Sequence, residues 1–305
     1  MESDIPELIP VCLSDKVWID PLVAAENSPS ADFNFGNIYL WDPVYKQSLI
    51  RLNGRFSVMP GNSNTPFFVY PVGYGDLADA VKTLHALAGK MGFVFTLRGV
   101  TSQQVRELEA LFPGKFDFTD DRDFYDYIYS AEKLASLSGK KLHGKRNHIN
   151  RFVTEYSWSF EPLTPDMAPM CMDLLRRWTE ENTVPDELGV PQEHLAIVRA
   201  FENFDILGLD GGVLFANGAP AAFTIGEKIS SDTYDVHFEK AFHNIDGAYT
   251  MINREFVRMI MDKYPGIVYI NREDDIGMPN LRQAKQSYYP EFLVEKHTAV
   301  WRDDR

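Results

Sequence analysis

The chain has 305 residues, with 30 Lys and Arg against 44 Asp and Glu, a formal net charge of −14. At roughly 150 residues per domain this length points to two domains, and 45% apolar with 24% charged residues is globular rather than disordered composition. The acidic balance argues against wholesale coating of nucleic acid or anionic lipid, and two distant cysteines, Cys12 and Cys171, exclude a disulfide framework or a Cys-based zinc site. With no apolar run near roughly eighteen residues and no basic leader before MESDIPELIP, no transmembrane segment and a cytoplasmic location are expected.

In chain order, the first clear elements are strands at Gln47–Leu52 and Arg55–Met59 around Asn53-Gly54, a strong hairpin signal. A strand at Pro66–Val72 follows. Leu77, Val81, Leu84 and Leu87 set a helix over Asp76–Ala88, with Gly89 placed to stop it. Phe93–Leu97 reads as a strand, and Thr101 with Gln104 as a capping box before a helix. Strands at Lys115–Phe118 and Phe124–Tyr129 close the first half.

Between Lys133 and Arg151 the chain reads KLASLSGKKLHGKRNHINR, with six Lys or Arg and no Asp or Glu. The rest of the chain carries the remaining 24 basic residues against all 44 acidic ones. Leu142, Ile149, Phe152 and Val153 share one helical face, while Lys141, Lys145 and His148 lie on another. A run of one sign cannot neutralise itself through i,i+4 ion pairs. A solvated linker face and a phosphate-binding surface both fit, and a phosphodiester or pyrophosphate would offset the repulsion.

The second half starts with a strand at Trp158–Pro162 and helices at Pro165–Glu181 and Gln192–Phe204. Strands Val213–Ala216 and Ala221–Ile229 flank Asn217-Gly218, a second Asn-Gly turn. A strand at Thr233–Lys240, a helix at Gly247–Lys263, a strand at Ile267–Asn271, a helix at Pro279–Tyr288 and a strand at Phe292–Val300 complete it. Both halves follow the element order of N-acyltransferases of the GNAT type. The expected fold is α+β: a GNAT-like domain over residues 1–130, a basic connecting helix over 131–152, and a second GNAT-like domain over 153–305 carrying the active site.

Strict alternation along Thr233–Lys240 would put Asp235, His237 and Glu239 on one face, suggesting a cleft with a general base. Ile267–Asn271 runs into a polar cluster that includes Arg272, Glu273, Asp274 and Asp275; it has no metal-ligand spacing, and no metal is expected. Lys285 and Tyr288 follow, the tyrosine as a candidate proton donor. In GNAT enzymes an acyl-CoA pyrophosphate meets a helix N-terminus after the polar strand. Here Asn244-Ile245-Asp246-Gly247-Ala248-Tyr249 keeps only one glycine of the usual Q/R-x-x-G-x-G/A; Gly247 admits a ligand to the backbone, Asp246 repels a phosphate and Tyr249 crowds it.

LSGKKLHGKRNHINRF, HFEKAF, YTMINREF and YINREDDIGMPNLRQAKQSYYP together resemble a bacterial family related to the C-terminal domain of phosphatidylglycerol lysyltransferase. The resemblance implies kinship with Fem-type peptidyltransferases and an aminoacyl transfer from charged tRNA to an amine or hydroxyl acceptor. It assigns donor or phosphate binding to Lys140, Lys141, Lys145, Arg146, Asn147, Asn150, Arg151, Gly247 and Tyr249. Catalytic candidates are Asp235, His237, Glu239, Arg272, Glu273, Lys285 and Tyr288, while Lys240, Asn271 and Asp274 match family motifs. The donor is aminoacyl-tRNA or acyl-CoA through segment 133–151, the acceptor a small molecule, peptide or lipid. Two further readings stand beside it: an acyl-CoA-dependent N-acyltransferase, and a non-catalytic phosphate- or tRNA-binding module.

Overall fold

The computed structural model describes residues 6–182 and 190–302. Contacts divide the chain into two compact units, Met1–Asp126 with Asp274–Met278 and Leu293–Arg305, and Tyr127–Glu273 with Pro279–Phe292. Among the described residues no helix is long and apolar enough to cross a membrane.

The first unit holds two four-stranded sheets. One has the order Leu8–Pro10, Gln47–Leu52, Arg55–Pro60, Val72–Gly73; the other Phe68–Val69, Thr96–Thr101, Lys296–Trp301, Phe116–Asp120. The strand expected over Pro66–Val72 is therefore split between two sheets. The Leu77–Met91 helix is capped by the Asp76 side chain and ends at Gly92, at φ 79°. Gly89 lies inside it, three residues before the stop. Two helices escape the periodicity reading, Lys16–Glu26 and Phe35–Tyr45, each with an internal proline, Pro21 and Pro43.

Around the second unit runs a seven-stranded sheet in the order Phe292–Val294, Asp126–Ser130, Tyr269–Asn271, Thr233–Ala241, Ala219–Lys228, Asp210–Ala216, Trp158–Pro162. The long strand expected over Phe292–Val300 breaks at Glu295. Its second part, Lys296–Trp301, pairs with Thr96–Thr101 and Phe116–Asp120 of the first unit. This differs from the expected allocation of everything after residue 153 to one domain. A buried charge fixes the exchange: Lys296 Nζ lies 2.7 Å from Asp126 Oδ1 and 2.9 Å from Asp32 Oδ1, so it cannot leave that sheet without stranding two carboxylates.

The basic segment is no free connector. It forms the helices Ala131–Ser136 and His143–Glu155. Leu142, Ile149 and Phe152 are buried in one cluster with Ala248, Met251 and Ile252 of the Ala248–Lys263 helix. Val153, expected on the apolar face, is 42% exposed.

A candidate active site where two parallel strands part

The site is set by how the Thr233–Ala241 strand meets its neighbours. It runs parallel to Tyr269–Asn271 for three residues only, Thr233 to Asp235 facing Tyr269 to Asn271. Beyond that point it goes on to Ala241 without that neighbour, leaving a wedge. On its other side Phe238 faces Ile225 and Val236 faces Gly226, so His237 is an extra, bulged residue. Gly226 permits the bulge, because a Cβ there would lie 2.1 Å from the Asp235 carbonyl oxygen.

The bulge corrects the expectation that Asp235, His237 and Glu239 share a face. Glu239 faces Thr224 and Asp235 faces Glu227, and on the regularly alternating partner strand 224 and 227 point to opposite sides. Arg272 and Glu273, consecutive after the neighbouring strand, divide in the same way. The seven catalytic candidates thus form two groups rather than one.

One group is built on His237. Its Nε2 lies 3.0 Å from Glu227 Oε1, and its Nδ1 3.0 Å from Glu273 Oε1 and 3.4 Å from Asp235 Oδ2. Carboxylates only accept, so both ring nitrogens carry protons and the ring is an imidazolium. Burial opposes that charge, but Asp235 and the hydrogen bonds to Glu227 and Glu273 outweigh it and raise the pKa well above the usual histidine value. One ligand atom each from Asp235, His237 and Glu273 lies within 4.8 Å of the others, a spacing that could hold a metal ion. The imidazolium itself supplies positive charge there. Glu227 is the member the sequence reading missed.

The second group occupies the wedge. Arg272 Nη2 donates to Glu239 Oε1 at 2.9 Å, and Asn253 Nδ2 donates to Glu239 Oε2 at 3.0 Å. The Arg272 guanidinium rests against the rings of Tyr288, at 4.9 Å, and Tyr129, at 5.7 Å. Tyr288 is buried, its hydroxyl 3.4 Å from Thr250 Oγ1, and burial raises its pKa, so it stays a neutral phenol. Lys285 donates to the Arg272 carbonyl oxygen, and Tyr129 donates to the Lys285 carbonyl oxygen at 2.8 Å. Lys285 therefore holds the turn that aims Arg272. Asn253, Thr250 and Tyr129 were not singled out in the sequence. Asn253 did leave a signal: it sits three, four and seven residues before Phe256, Val257 and Ile260, a polar residue on an apolar stripe.

Lys145 joins this group from the basic helix. Its Nζ lies 3.8 Å from the Tyr288 ring centroid. Burial first, then the nearby Arg272 charge, pushes its pKa down to about 8, with Glu239 opposing. Lys140, Lys141, Asn147 and Asn150 are exposed, Lys141 Nζ being 5.2 Å from the ring of Tyr289. Arg146 is turned inward as a brace, donating through Nη1 to the carbonyls of Leu137 and Gly139.

The loop before the Ala248–Lys263 helix is also unlike its expected role. Gly247 has φ 85°, and a Cβ there would lie 2.5 Å from the His148 carbonyl oxygen and 3.0 Å from Phe152 Cβ. The glycine admits the basic helix, not a ligand, to the backbone. Asp246 makes no cap; it binds Arg151 and, at 2.9 Å, His148 Nδ1. Arg151 is thereby committed to an ion pair. Tyr249 is held by Trp178, whose Nε1 donates to its hydroxyl at 3.0 Å, and burial pushes its pKa up to about 12. Lys240 lies beside the same tryptophan and donates to Glu193 at 2.5 Å.

Known proteins carry the same pattern. Residues 25–300 match the family of the phosphatidylglycerol lysyltransferase C-terminal region. A conserved protein of unknown function from Bacteroides thetaiotaomicron is 38% identical with a TM-score of 0.92, over 97% of this chain and 100% of that one. The C-terminal domain of a putative lysylphosphatidylglycerol synthetase from Agrobacterium fabrum superposes with a TM-score of 0.67 at 14% identity, covering 96% and 93%. FemX, at 9% identity with a TM-score of 0.54 over 96% of each chain, shares the fold. So does a tandem GNAT protein from clavulanic acid biosynthesis, at 12% identity with a TM-score of 0.52 over 98% and 100%. A Mycoplasmoides gallisepticum protein is 24% identical over 178 residues, and the chain spans about half, 54%, of that curated relative's length. The expected GNAT-like α+β fold holds, and the chain belongs to the phosphatidylglycerol lysyltransferase C-terminal family.

Proposed function

We propose that the protein is an aminoacyltransferase that takes an aminoacyl group from charged tRNA and passes it to an amine or hydroxyl acceptor. The observation that carries this reading is the reach of Lys145 from the basic helix to Arg272, Glu239 and Tyr288. An anionic donor held by Lys140 and Lys141 would bring its ester end to the place where the strands part. Attack there forms the new C–N or C–O bond and breaks the ester bond to the ribose, whose oxygen takes up the acceptor's proton. A Lys145 amine that titrates at about 8 suits the relay of that proton. Family membership supports the same chemistry. The packing of Gly247 against His148 speaks against the acyl-CoA reading, because it covers the backbone that a pyrophosphate would approach.

Filter binding tests the donor. Charged tRNA should bind with an affinity that falls steeply with salt, and Lys140→Glu with Lys141→Glu should abolish it. Absence of binding at low salt would remove tRNA as the donor. Thermal stabilisation by a CoA thioester would instead favour acyl-CoA, and binding without transfer to any acceptor a non-catalytic module.

A further inference from the structure

The wedge holds two polar atoms whose bonding is incomplete. Glu239 takes one hydrogen bond at each carboxylate oxygen, from Arg272 Nη2 and from Asn253 Nδ2. Arg272 Nη1 and Asn253 Oδ1 are both buried, and neither has a hydrogen-bond partner among the described residues. The orientation of the Asn253 amide is not arbitrary. A carboxylate cannot donate, so the NH₂ must face Glu239 and the oxygen must face away from it. Asn253 is 1% exposed, so water does not complete it from the surface. A buried orphan of this kind costs about 1–3 kcal/mol, and a pair beside one functional carboxylate calls for a ligand that satisfies both.

Such a ligand must accept a hydrogen bond from a guanidinium and donate one to an amide oxygen. A plain acyl ester offers its carbonyl and no donor. An α-aminoacyl ester offers a carbonyl and, one carbon away, an ammonium that also matches the negative charge of Glu239. We infer that Arg272 and Asn253 form an α-aminoacyl subsite, in which Arg272 Nη1 donates to the ester carbonyl and Asn253 Oδ1 accepts from the α-ammonium. This rests on the aminoacyltransferase reading and sharpens it: the pair makes the free α-amino group a condition of binding.

The full chain can be titrated calorimetrically with 3′-deoxy-3′-(aminoacylamino)adenosine, an amide analogue of an aminoacylated 3′ end, and with the same compound N-acetylated. The free amine should bind about tenfold tighter or better, the worth of one charge-assisted hydrogen bond. Asn253→Ala should erase the difference. Equal affinity for the two compounds, a preference that survives Asn253→Ala, or no binding of either overturns the subsite. The wild-type comparison decides the matter whether or not the variant folds. Charged-tRNA filter binding reads the donor separately, so a preference for the free amine without tRNA binding would remove the donor and leave the subsite.

Discussion

Lys145 Nζ sits 3.8 Å from the ring centroid of Tyr288, which joins the basic helix to the wedge between the two parallel strands. The amine pays for that position in basicity, since burial and Arg272 both disfavour its charge.

Lys145 should therefore titrate at about 8, well below an ordinary lysine. Competitive labelling with an amine-specific reagent across pH 6 to 10, read by peptide mass spectrometry, would give its profile. Its midpoint should fall below those of exposed Lys140 and Lys141. Coincident midpoints would contradict the site as described.

Removing Arg272 leaves Glu239 buried with Asn253 as its remaining hydrogen-bond donor. Arg272→Met should cost about 3–5 kcal/mol in urea denaturation, and Glu239→Gln in the same background should restore part of it. Additive effects of the two substitutions would mean the pair is not coupled.

His237 ties stability to pH. Its pKa is raised on folding, so the unfolded chain binds fewer protons once the pH passes the ordinary histidine value. Its contribution is full below about pH 6.5 and declines as pH rises toward the higher folded value. The pH profile of unfolding free energy should show this fall in the wild type and lose it in His237→Gln. That variant should also be less stable near neutrality, because it leaves Asp235, Glu227 and Glu273 without their central cation.

Gly247 and Gly89 offer a matched pair of substitutions. Gly247→Ala forces a side chain into left-handed backbone and against the His148 carbonyl oxygen, costing at least about 1–2 kcal/mol from the backbone alone. Gly89 lies in a helix with nothing within 4 Å of a Cβ, so Gly89→Ala should stabilise by about 0.5–1 kcal/mol. Thermal melts that fail to move in opposite directions would refute this assignment of the two glycines.

Much of the fold was legible because its signals are local. Asn217-Gly218 supplies two consecutive positive φ angles, 52° and 78°, which a tight hairpin needs. The Thr101 and Gln104 capping box forms as expected, each side chain bonding the other's backbone. The positive run of 133–151 was visible as charge, but Arg146 and Arg151 are committed to internal partners while Lys145 points into the wedge. Which cation meets solvent depends on packing, and periodicity alone placed Val153 on the wrong side.

The opening charge arithmetic has a structural meaning after all. By itself the sequence determined the composition of the acidic body, the basic helix and most strands, since propensity, turn chemistry and apolar period act over a few residues. Only the tertiary structure decided the site. One inserted residue at His237 reverses the facing of every side chain beyond it, and parallel pairing that ends after three residues opens the wedge. Both depend on a neighbouring strand's register, a non-local quantity that no window of sequence contains.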